Sequence, residues 1–363
     1  MTTSIASLHY HRQVYTAFIA AAFLASTFFS GSAALAFSTT TTTTSSSSAR
    51  GSTTTSSINN MADDSNMTER YDDLAARALD AYRDHRGSGH DGALWIACVG
   101  GPGAGKTTTA KAVVERIHAR ALATNDETET ASATSSPAEA VVVPMDGYHY
   151  TQAELAKRAR PEDDSGGMNR RGAPWTFDAR KLAADLAEAK RSGRGSLSEY
   201  CREISDPVPG AIQLDGQHSI IIVEGNYLLL GSLEAELDTA DDKNAKLGTN
   251  LYDAVVGQEC KWDGTCKALD CPIPIGDEIR RWSDVTSLFD EFWFIAPPGD
   301  GVSEQRRRLI ERSLQTWTDA KTEAWGGGTS REAATRRADF NDVRNARLVD
   351  CCRQYADVQV DSI

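Results

Sequence analysis

The most constraining feature of this 363-residue chain is a glycine-rich run at residues 100–107, which reads Gly-Gly-Pro-Gly-Ala-Gly-Lys-Thr. An apolar run over residues 93–99 precedes it, and residues with helical spacing follow from position 107. Glycines let the backbone curl with its N–H groups pointing inward, and the helix that follows places its positive dipole end at the same point. A strand, a glycine turn and a helix start in this order predict a loop that binds phosphate groups.

The residues of this loop have predicted roles in binding a nucleotide and Mg²⁺. Lys106 is expected to reach the β- and γ-phosphates, and the hydroxyl of Thr107 is expected to hold the metal ion. A glycine turn without a ligand is disfavoured because both flanks match the required context. The predicted nucleotide-binding residues are Gly100, Gly101, Pro102, Gly103, Ala104, Gly105, Lys106, Thr107 and Thr108.

Short apolar strands alternate with helices along the rest of the chain. The predicted strands are 93–99, 141–143, 219–223, 292–296 and 356–360. The predicted helices are 67–86, 107–122, 178–191, 302–324 and 330–353, with a polar loop at 123–139. This alternation predicts an α/β fold of three layers, in which a parallel five-stranded sheet carries helices on both faces.

Residues 232–280 interrupt this rhythm and are predicted to be a loop insertion. They are polar and contain scattered glycines, and their apolar residues show no clear periodicity. Their cysteines, Cys260, Cys266 and Cys271, have a spacing that suits zinc poorly. They are either ordinary loop cysteines or a redox-sensitive pair.

The chain is acidic, with 51 Asp and Glu against 38 Lys and Arg and a formal charge of −13. This balance gives no indication of a nucleic-acid-binding surface. Positive charge must therefore be concentrated locally if an anionic ligand binds. It is concentrated at Lys106 and at the run of residues 306–308 with Arg312.

The first 61 residues are predicted to be a targeting leader. No acidic residue precedes Asp63, and residues 14–29 form an apolar stretch that is short for a membrane span but suits a signal-peptide core. Ala34-Leu35-Ala36 supplies small residues for signal peptidase, so residues 1–36 are the predicted signal peptide. No stable membrane span is expected once the leader is removed.

Residues 37–61 begin with Phe37 and consist mostly of Ser and Thr. A signal peptide followed by such a segment resembles the bipartite leader of algae with complex plastids, which implies that the protein enters the plastid. The alternatives are a secretory signal with a disordered linker, or translation from Met61 to give a cytosolic protein. The folded domain is predicted to span residues 62–363.

Two carboxylates come at or just after the ends of predicted strands, where ligands bind in parallel sheets. Asp146 follows strand 141–143 and could accept a proton from a substrate hydroxyl. The alternative is a turn aspartate before Gly147. Glu224 follows strand 219–223 and could orient Mg²⁺ or its water shell, unless it is a strand-end glutamate that faces solvent.

Two arginines on one helical face complete the predicted site. Arg308 and Arg312 are one turn apart and could offset charge in a transition state, although a solvated charged helix would show the same run. The predicted catalytic residues are Lys106, Asp146, Arg308 and Arg312, and the predicted metal ligands are Thr107 and Glu224.

Four further segments carry a family resemblance, and they cover about residues 90–360 apart from the insertion. They are Pro144-Met145-Asp146-Gly147-Tyr148-His149, Arg170-Arg171-Gly172-Ala173-Pro174-Trp175-Thr176-Phe177-Asp178, Val223-Glu224-Gly225-Asn226-Tyr227-Leu228-Leu229-Leu230, and Asn341-Asp342 with Asn345. In this order they resemble the P-loop small-molecule kinases of the uridine kinase, phosphoribulokinase and pantothenate kinase superfamily. The resemblance is closest to a nucleoside-kinase-like branch.

The resemblance implies an ATP- and Mg²⁺-dependent kinase that phosphorylates a hydroxyl of a small metabolite. The acceptor would be a nucleoside, a sugar, a polyol or a pantothenate-like molecule, and a helical lid would carry Arg308 and Arg312. The implied acceptor-site residues are Asp146, Tyr148, His149, Arg171 and Trp175. Trp175 could equally be a core anchor, and Asp178 a helix N-cap.

The chain departs from the branch in three places, one of which is the insertion at 232–280. Tyr148 stands where the branch more often has Phe. Residues 200–205 read Tyr-Cys-Arg-Glu-Ile-Ser where the branch usually carries a Phe-Asp-His element. No acceptor contact at that element is therefore carried over from the branch.

Two alternative functions follow from the same residues. The first is phosphoribulokinase proper, which suits a plastid leader but fits Gly147 and residues 172–177 less well. The second is a P-loop ATPase or GTPase that acts as a switch or chaperone, although the Asn-Lys-x-Asp pattern of guanine readers is missing from the sequence. A small-molecule substrate is the expected partner, and the sequence leaves the oligomeric state open.

Overall fold

The computed structural model describes residues 55–126, 138–158, 170–234 and 275–362. Seven strands lie in this part of the chain: β1 (Leu94–Val99), β2 (Ala140–Pro144), β3 (Arg194–Cys201), β4 (Asp206–Asp215), β5 (Ile220–Gly225), β6 (Glu291–Ala296) and β7 (Val358–Asp361). Five of them form one parallel sheet in the order β2-β5-β1-β6-β7, and β3 pairs with β4 in an antiparallel hairpin. The predicted parallel five-stranded sheet is confirmed.

Strand β1 lies at the centre of the sheet and is buried along its whole length. It pairs with β5 on one side and with β6 on the other. Trp95, Ala97 and Val99 pack into the core on one face of the sheet, and the alternate residues of β1 pack into the core on the opposite face. This double burial explains why β1 reads as a continuous apolar run.

Nine α-helices lie in the described residues. They are α1 (Thr55–Gly87), α2 (Lys106–Asp126), α3 (Gln152–Lys157), α4 (Ala179–Ser192), α5 (Ile275–Thr286), α6 (Gly301–Leu314), α7 (Asp319–Ala324), α8 (Ser330–Arg337) and α9 (Val343–Asp350). Buried residues of α1 and α2 pack on one face of the sheet, whereas those of α4, α5 and α9 pack on the other. Helices on both faces give the three predicted layers.

Helix α4 shows how local sequence sets the ends of these elements. The side chain of Asp178 accepts a hydrogen bond from the backbone N–H of Lys181 at the start of the helix. Gly193 ends it in the left-handed conformation, with φ +70°. Between these two caps, Leu182 and Leu186 are buried in the core. Asp178 is therefore the helix N-cap that the sequence offered as an alternative.

Several predicted boundaries differ from the structure. The helix predicted at 302–324 is two helices, because α6 ends at Leu314 and Thr318 caps the start of α7. Helix α2 continues to Asp126, into the predicted loop at 123–139. Helices α8 and α9 are joined by a single π-helical turn at Ala338–Asp342, within the range predicted as one helix.

The predicted insertion at 232–280 overlaps the fold at both of its ends. A short turn at Leu230–Leu233 is buried, and α5 begins at Ile275 with Ile279 and Trp282 fully buried. Helix α5 therefore occupies the last residues of the predicted insertion, where the charged residues Asp277, Glu278 and Arg280 obscure the apolar spacing of the helix in the sequence. The insertion cysteines lie outside the described residues.

The hairpin of β3 and β4 was not predicted from the sequence. Apolar and polar residues alternate only weakly along its two strands. Leu197 and Leu214 are the clearest buried apolar side chains. Strands that expose one face carry few apolar residues, and Pro207 and Gly210 weaken the pattern further. The hairpin matters because its tip, residues 202–205, lies near the carboxyl end of the sheet.

The predicted leader, residues 1–61, lies almost wholly outside the described residues. Helix α1 begins at Thr55, and its side chains are described from residue 67. Among the helices that the structure describes, none is long and apolar enough to cross a membrane.

Candidate active site

The glycine-rich loop connects the end of β1 to the start of α2, as its sequence context predicts. Gly105 has φ +94°, a conformation that side chains with a Cβ rarely adopt. Helix α2 then begins at Lys106, so its unpaired N–H groups and positive dipole end point at the loop. This arrangement forms a cradle for phosphate groups.

Lys106 is 9% exposed and lies across this loop. Its Nζ donates to the carbonyl oxygen of Gly101 at 3.0 Å and to Oδ1 of Asn226 at 2.8 Å. Burial lowers the pKa of Lys106, while the negative charges of Glu224 and Asp146 oppose that shift. An ammonium group has three N–H donors, so two are engaged and one is left for a phosphate oxygen.

Thr107 and Glu224 meet at the base of the cleft. Oγ1 of Thr107 donates to Oε1 of Glu224 at 3.0 Å. Glu224 lies in β5 opposite Cys98 of β1, which brings it beside the loop. Burial raises the pKa of Glu224, and the positive charge of Lys106 opposes this shift.

These two oxygen groups fit Mg²⁺ that is bound together with a nucleotide. Magnesium is usually held by one or two protein oxygens, with phosphate oxygens and water completing its coordination. The described residues contain no group of three or more His, Cys, Asp or Glu side chains that could hold a metal on their own. The pair of Thr107 and Glu224 therefore suits a metal that arrives with its phosphates.

Asp146 lies on a short 3₁₀ turn, Met145–Tyr148, that directly follows β2. Strand β2 pairs with β5, with Pro144 opposite Glu224, so the two carboxylates belong to adjacent strand ends. The turn packs tightly on the hairpin, because a Cβ on Gly147 would lie 2.1 Å from the carbonyl oxygen of Ser198. Glycine at position 147 thus allows the hairpin to fix the place of Asp146.

A cleft of about 610 Å³ joins these groups. Its lining comes from α1, the loop, α2, the β2 turn, the hairpin tip, the end of β5, α6 and the end of β7. The residues are Tyr71, Pro102, Gly103, Gly105, Lys106, Thr107, Thr108, Thr109, Asp146, Arg202, Glu224, Gly225, Asn226, Arg308, Leu309, Arg312 and Ser362. The structure therefore brings every predicted catalytic and metal residue to one cleft.

The two arginines of α6 differ in their surroundings. Arg308 pairs with Glu304 at 2.9 Å, and its guanidinium also donates to Oγ of Ser362 at 3.2 Å. Arg312 is exposed to the cleft and makes no ion pair within the described residues. Movement of α6 as a lid over the cleft stays a prediction.

The other residues predicted to contact the acceptor lie behind the Asp146 turn and do not line the cleft. Tyr148 is buried in the core, and its hydroxyl donates to Asp185 at 3.0 Å. Trp175 is 8% exposed, with the guanidinium of Arg170 over its ring. The sequence alone could not distinguish aromatic residues that are buried in the core from aromatic residues that bind a ligand. Both kinds are large residues that follow a strand end.

His149 and Arg171 also support the site from behind. The His149 ring packs on Phe177 with centroids 3.9 Å apart, and its Nδ1 lies 2.8 Å from the carbonyl oxygen of Asp146. Burial lowers the pKa of His149, while the charge of Asp146 opposes this shift. Arg171 donates to Asp206 at 2.9 Å, and Asp206 is the first residue of β4, directly after the hairpin tip.

Asn341 and Asn345 connect two of the segments that carry the family resemblance, namely their own and residues 170–178. Nδ2 of Asn341 donates to the backbone oxygen of Arg171 at 2.8 Å, and Nδ2 of Asn345 donates to Oδ1 of Asn341 at 3.3 Å. Both asparagines are 2% exposed. Their amides therefore hold the segment around Arg171 against the start of α9.

Sequence reasoning missed several polar residues that line the cleft. Asn226 stands two positions after Glu224, in a segment that the sequence had marked, so its position was a usable signal. Tyr71, Arg202 and Ser362 gave no such signal, because α1, the hairpin and the end of β7 bring them to the cleft through tertiary packing. Arg70 of α1, for example, donates to the carbonyl oxygen of Asp361 at 2.6 Å.

A parallel sheet with a glycine loop, a lysine and a hydroxyl residue at its central strand defines a P-loop nucleotide-binding protein. No family model matches the chain. It is 31% identical over 173 residues to a protein of Schizosaccharomyces pombe named as a candidate uridine kinase, which covers 46% of this chain and 62% of that protein. It is 30% identical over 100 residues to the pantothenate kinase of Streptococcus thermophilus, over 28% of this chain and 30% of that one.

A crystal structure from Silicibacter sp., described as a candidate fructose transport system kinase, shares the fold. The TM-score is 0.52 at 23% identity, over 80% of this chain and 98% of that one. The chain spans less than two thirds of the length of each of these two curated relatives. The chain is thus similar in sequence to a candidate uridine kinase and to a pantothenate kinase, and it shares the fold of a candidate small-molecule kinase.

Proposed function

We propose that this protein is an ATP- and Mg²⁺-dependent kinase that phosphorylates a hydroxyl group of a small metabolite. The observation that carries the proposal is the position of Asp146 in the same cleft as the phosphate loop. A P-loop protein that only hydrolyses nucleotide has to position water, whereas a kinase needs a base beside the acceptor hydroxyl. The relatives named as uridine kinase and pantothenate kinase support an acceptor of nucleoside or pantothenate-like type.

The chain supplies three functions for this reaction. Lys106 and the N-terminal N–H groups of α2 would bind phosphate oxygens, and Thr107 and Glu224 would hold the metal ion. Asp146 orients the acceptor hydroxyl and accepts its proton. Mg-ATP, when bound, supplies the phosphoryl group, and the metal neutralises charge on the phosphates.

The reaction balances without a further reactant. A bond forms between the acceptor oxygen and the γ-phosphorus, and the bond from that phosphorus to the β–γ bridging oxygen breaks. The products are the phosphorylated acceptor, ADP and one proton. Arg308 and Arg312 lie on the cleft wall where they can offset the negative charge on the phosphates.

Product analysis tests this proposal. The full-length chain is incubated with Mg-ATP and single acceptors, namely uridine, cytidine, pantothenate, ribulose 5-phosphate, glycerate, fructose and glycerol. Mass spectrometry should detect one phosphorylated acceptor, and the Lys106→Ala variant should form it at least about 100-fold more slowly. Equal product formation by wild type and variant would show that the phosphate loop does not carry the reaction.

A further inference from the structure

The tip of the β3–β4 hairpin places Arg202 in the same cleft as Asp146. Strand β3, which leads to this tip, packs directly on the turn that carries Asp146, through the contact of Gly147 with Ser198. The acceptor hydroxyl has to lie at Asp146 for its proton to be accepted. An acceptor held at Asp146 therefore lies in a cleft that Arg202 of the hairpin tip also lines.

Arg202 is distinct from the other cations of the cleft. Lys106 lies at the phosphate loop and Arg308 and Arg312 lie on α6, and these are the elements proposed to contact the nucleotide. Lys106 and Arg308 already hold protein oxygens, since Lys106 bonds Asn226 and Arg308 pairs with Glu304. Arg202 and Arg312 are both exposed, and within the described residues neither side chain makes an ion pair or hydrogen bond, but Arg202 lies on the hairpin whereas Arg312 lies on α6.

The backbone at the tip is fixed even though the Arg202 side chain has no such partner in the described part of the chain. Arg171 donates to the carbonyl oxygen of Ser205 at 2.6 Å and to Oδ1 of Asp206 at 2.9 Å. The backbone N–H of Gln152 also donates to Oδ1 of Asp206 at 2.9 Å. A cation on a preorganised loop binds an anion at lower entropic cost than one on a mobile loop.

We infer that the acceptor carries an anionic group, a phosphate or a carboxylate, and that Arg202 binds it. This inference rests on the proposed kinase function and narrows its substrate class. A planar guanidinium offers paired N–H donors that match the oxygens of either group. Arg202 then selects acidic hydroxy metabolites over their neutral counterparts.

Matched pairs of acceptors test the inference with the full-length chain. The pairs are ribulose and ribulose 5-phosphate, glycerol and D-glycerate, and pantothenol and pantothenate. Wild type should use the anionic member of a pair at least about 10-fold better in kcat/KM than the neutral member. A preferred phosphate member identifies a sugar phosphate as the acceptor class, and a preferred carboxylate member identifies a hydroxy acid.

Three variants separate a role in acceptor binding from other roles. Arg202→Ala should raise KM for the anionic acceptor about 10- to 100-fold and leave KM for ATP within about twofold. Arg202→Lys should raise KM for the anionic acceptor less than Arg202→Ala does, because lysine keeps the positive charge but lacks the paired N–H donors of the guanidinium. Arg194→Ala, at the exposed far end of the same hairpin, should behave as wild type.

Two results would overturn the inference while the proposed function stands. One is phosphorylation of neutral acceptors at least as well as anionic ones. The other is an Arg202→Ala variant that loses affinity for ATP instead of the acceptor. If no acceptor yields a phosphorylated product, the inference and the proposed function are both overturned.

Discussion

At the residue scale, burial controls the charges that meet in the cleft. Lys106 and Glu224 are 9% and 7% exposed, and burial lowers the pKa of the lysine and raises that of the glutamate. Each charge opposes the shift of the other, so the two groups stabilise each other in their ionised forms. Removing one of them leaves the other as an uncompensated buried charge.

Asp146→Asn tests the role of the proposed base. The amide keeps the size of the side chain but cannot accept the hydroxyl proton, so kcat should fall about 100- to 10,000-fold. ATP binding, measured by isothermal titration calorimetry, should change by less than about threefold. Asp284→Asn, an exposed change on α5, serves as the control. A variant with near-normal kcat would remove Asp146 from this role.

A second residue-scale prediction concerns Glu278, whose side chain is fully buried. Its Oε1 accepts from Nε1 of Trp282 at 3.0 Å, and its Oε2 accepts from Arg281 at 2.8 Å. Burial raises the pKa of Glu278, and the charge of Arg281 opposes this shift. The folded state therefore binds a proton more tightly than the unfolded chain, where the pKa is about 4.3.

The sign of the pH dependence follows from linkage. The stabilising contribution of protonated Glu278 is largest below the unfolded pKa and is lost as the pH rises through the folded pKa. Urea unfolding should therefore show Glu278→Gln gaining stability relative to wild type as the pH rises from about 4. Glu188→Gln, on the exposed face of α4, should show no such gain. Parallel pH profiles for wild type and Glu278→Gln would contradict the buried-charge interpretation.

At the element scale, two elements outside the parallel sheet help to complete the cleft. The hairpin brings Arg202, and α1 brings Tyr71, whose ring lies 5.1 Å from the guanidinium carbon of Arg116. Helix α1 is held by Leu74, Ala75 and Ala78, which are buried against the face of the sheet that also carries α2. Residues before the first strand are therefore part of the folded domain and of its site.

Leu74→Ala tests the contribution of α1 to stability. Leu74 is 5% exposed, and its truncation should lower the free energy of unfolding by about 2–5 kcal/mol. Leu122→Ala on α2 is the matched control, because that side chain is 69% exposed and its loss should cost less than about 0.5 kcal/mol. Equal effects of the two changes in urea unfolding would show that α1 is not docked on the sheet.

At the scale of the whole molecule, the sequence predicted the sheet and the centre of the site but not its outer walls. Lys106, Asp146 and Glu224 could be found because they lie in or beside strands that read as apolar runs, and strand ends in a parallel sheet share one edge. Arg202 and Tyr71 could not be found, because their positions depend on how a hairpin and a helix pack. Tyr148 shows the converse case, a residue in a recognisable motif that the core buries.

The proposed plastid destination is also a property of the whole chain, and it rests on sequence alone. A fluorescent protein fused to residues 1–62 should enter the plastid of an alga with a complex plastid. Replacing Phe37 with Ala should leave the fusion outside the plastid. Import that is unaffected by this replacement would remove the argument for a bipartite leader.

Acceptor-dependent release of ADP tests the central claim most directly. The full-length chain with Mg-ATP is assayed with and without each member of the acceptor panel, beside Lys106→Ala. A kinase should release ADP at least about 100-fold faster with its acceptor than without, and the variant should show no acceptor-dependent rate. Release of ADP at the same rate with and without every acceptor would contradict the account and identify an ATPase.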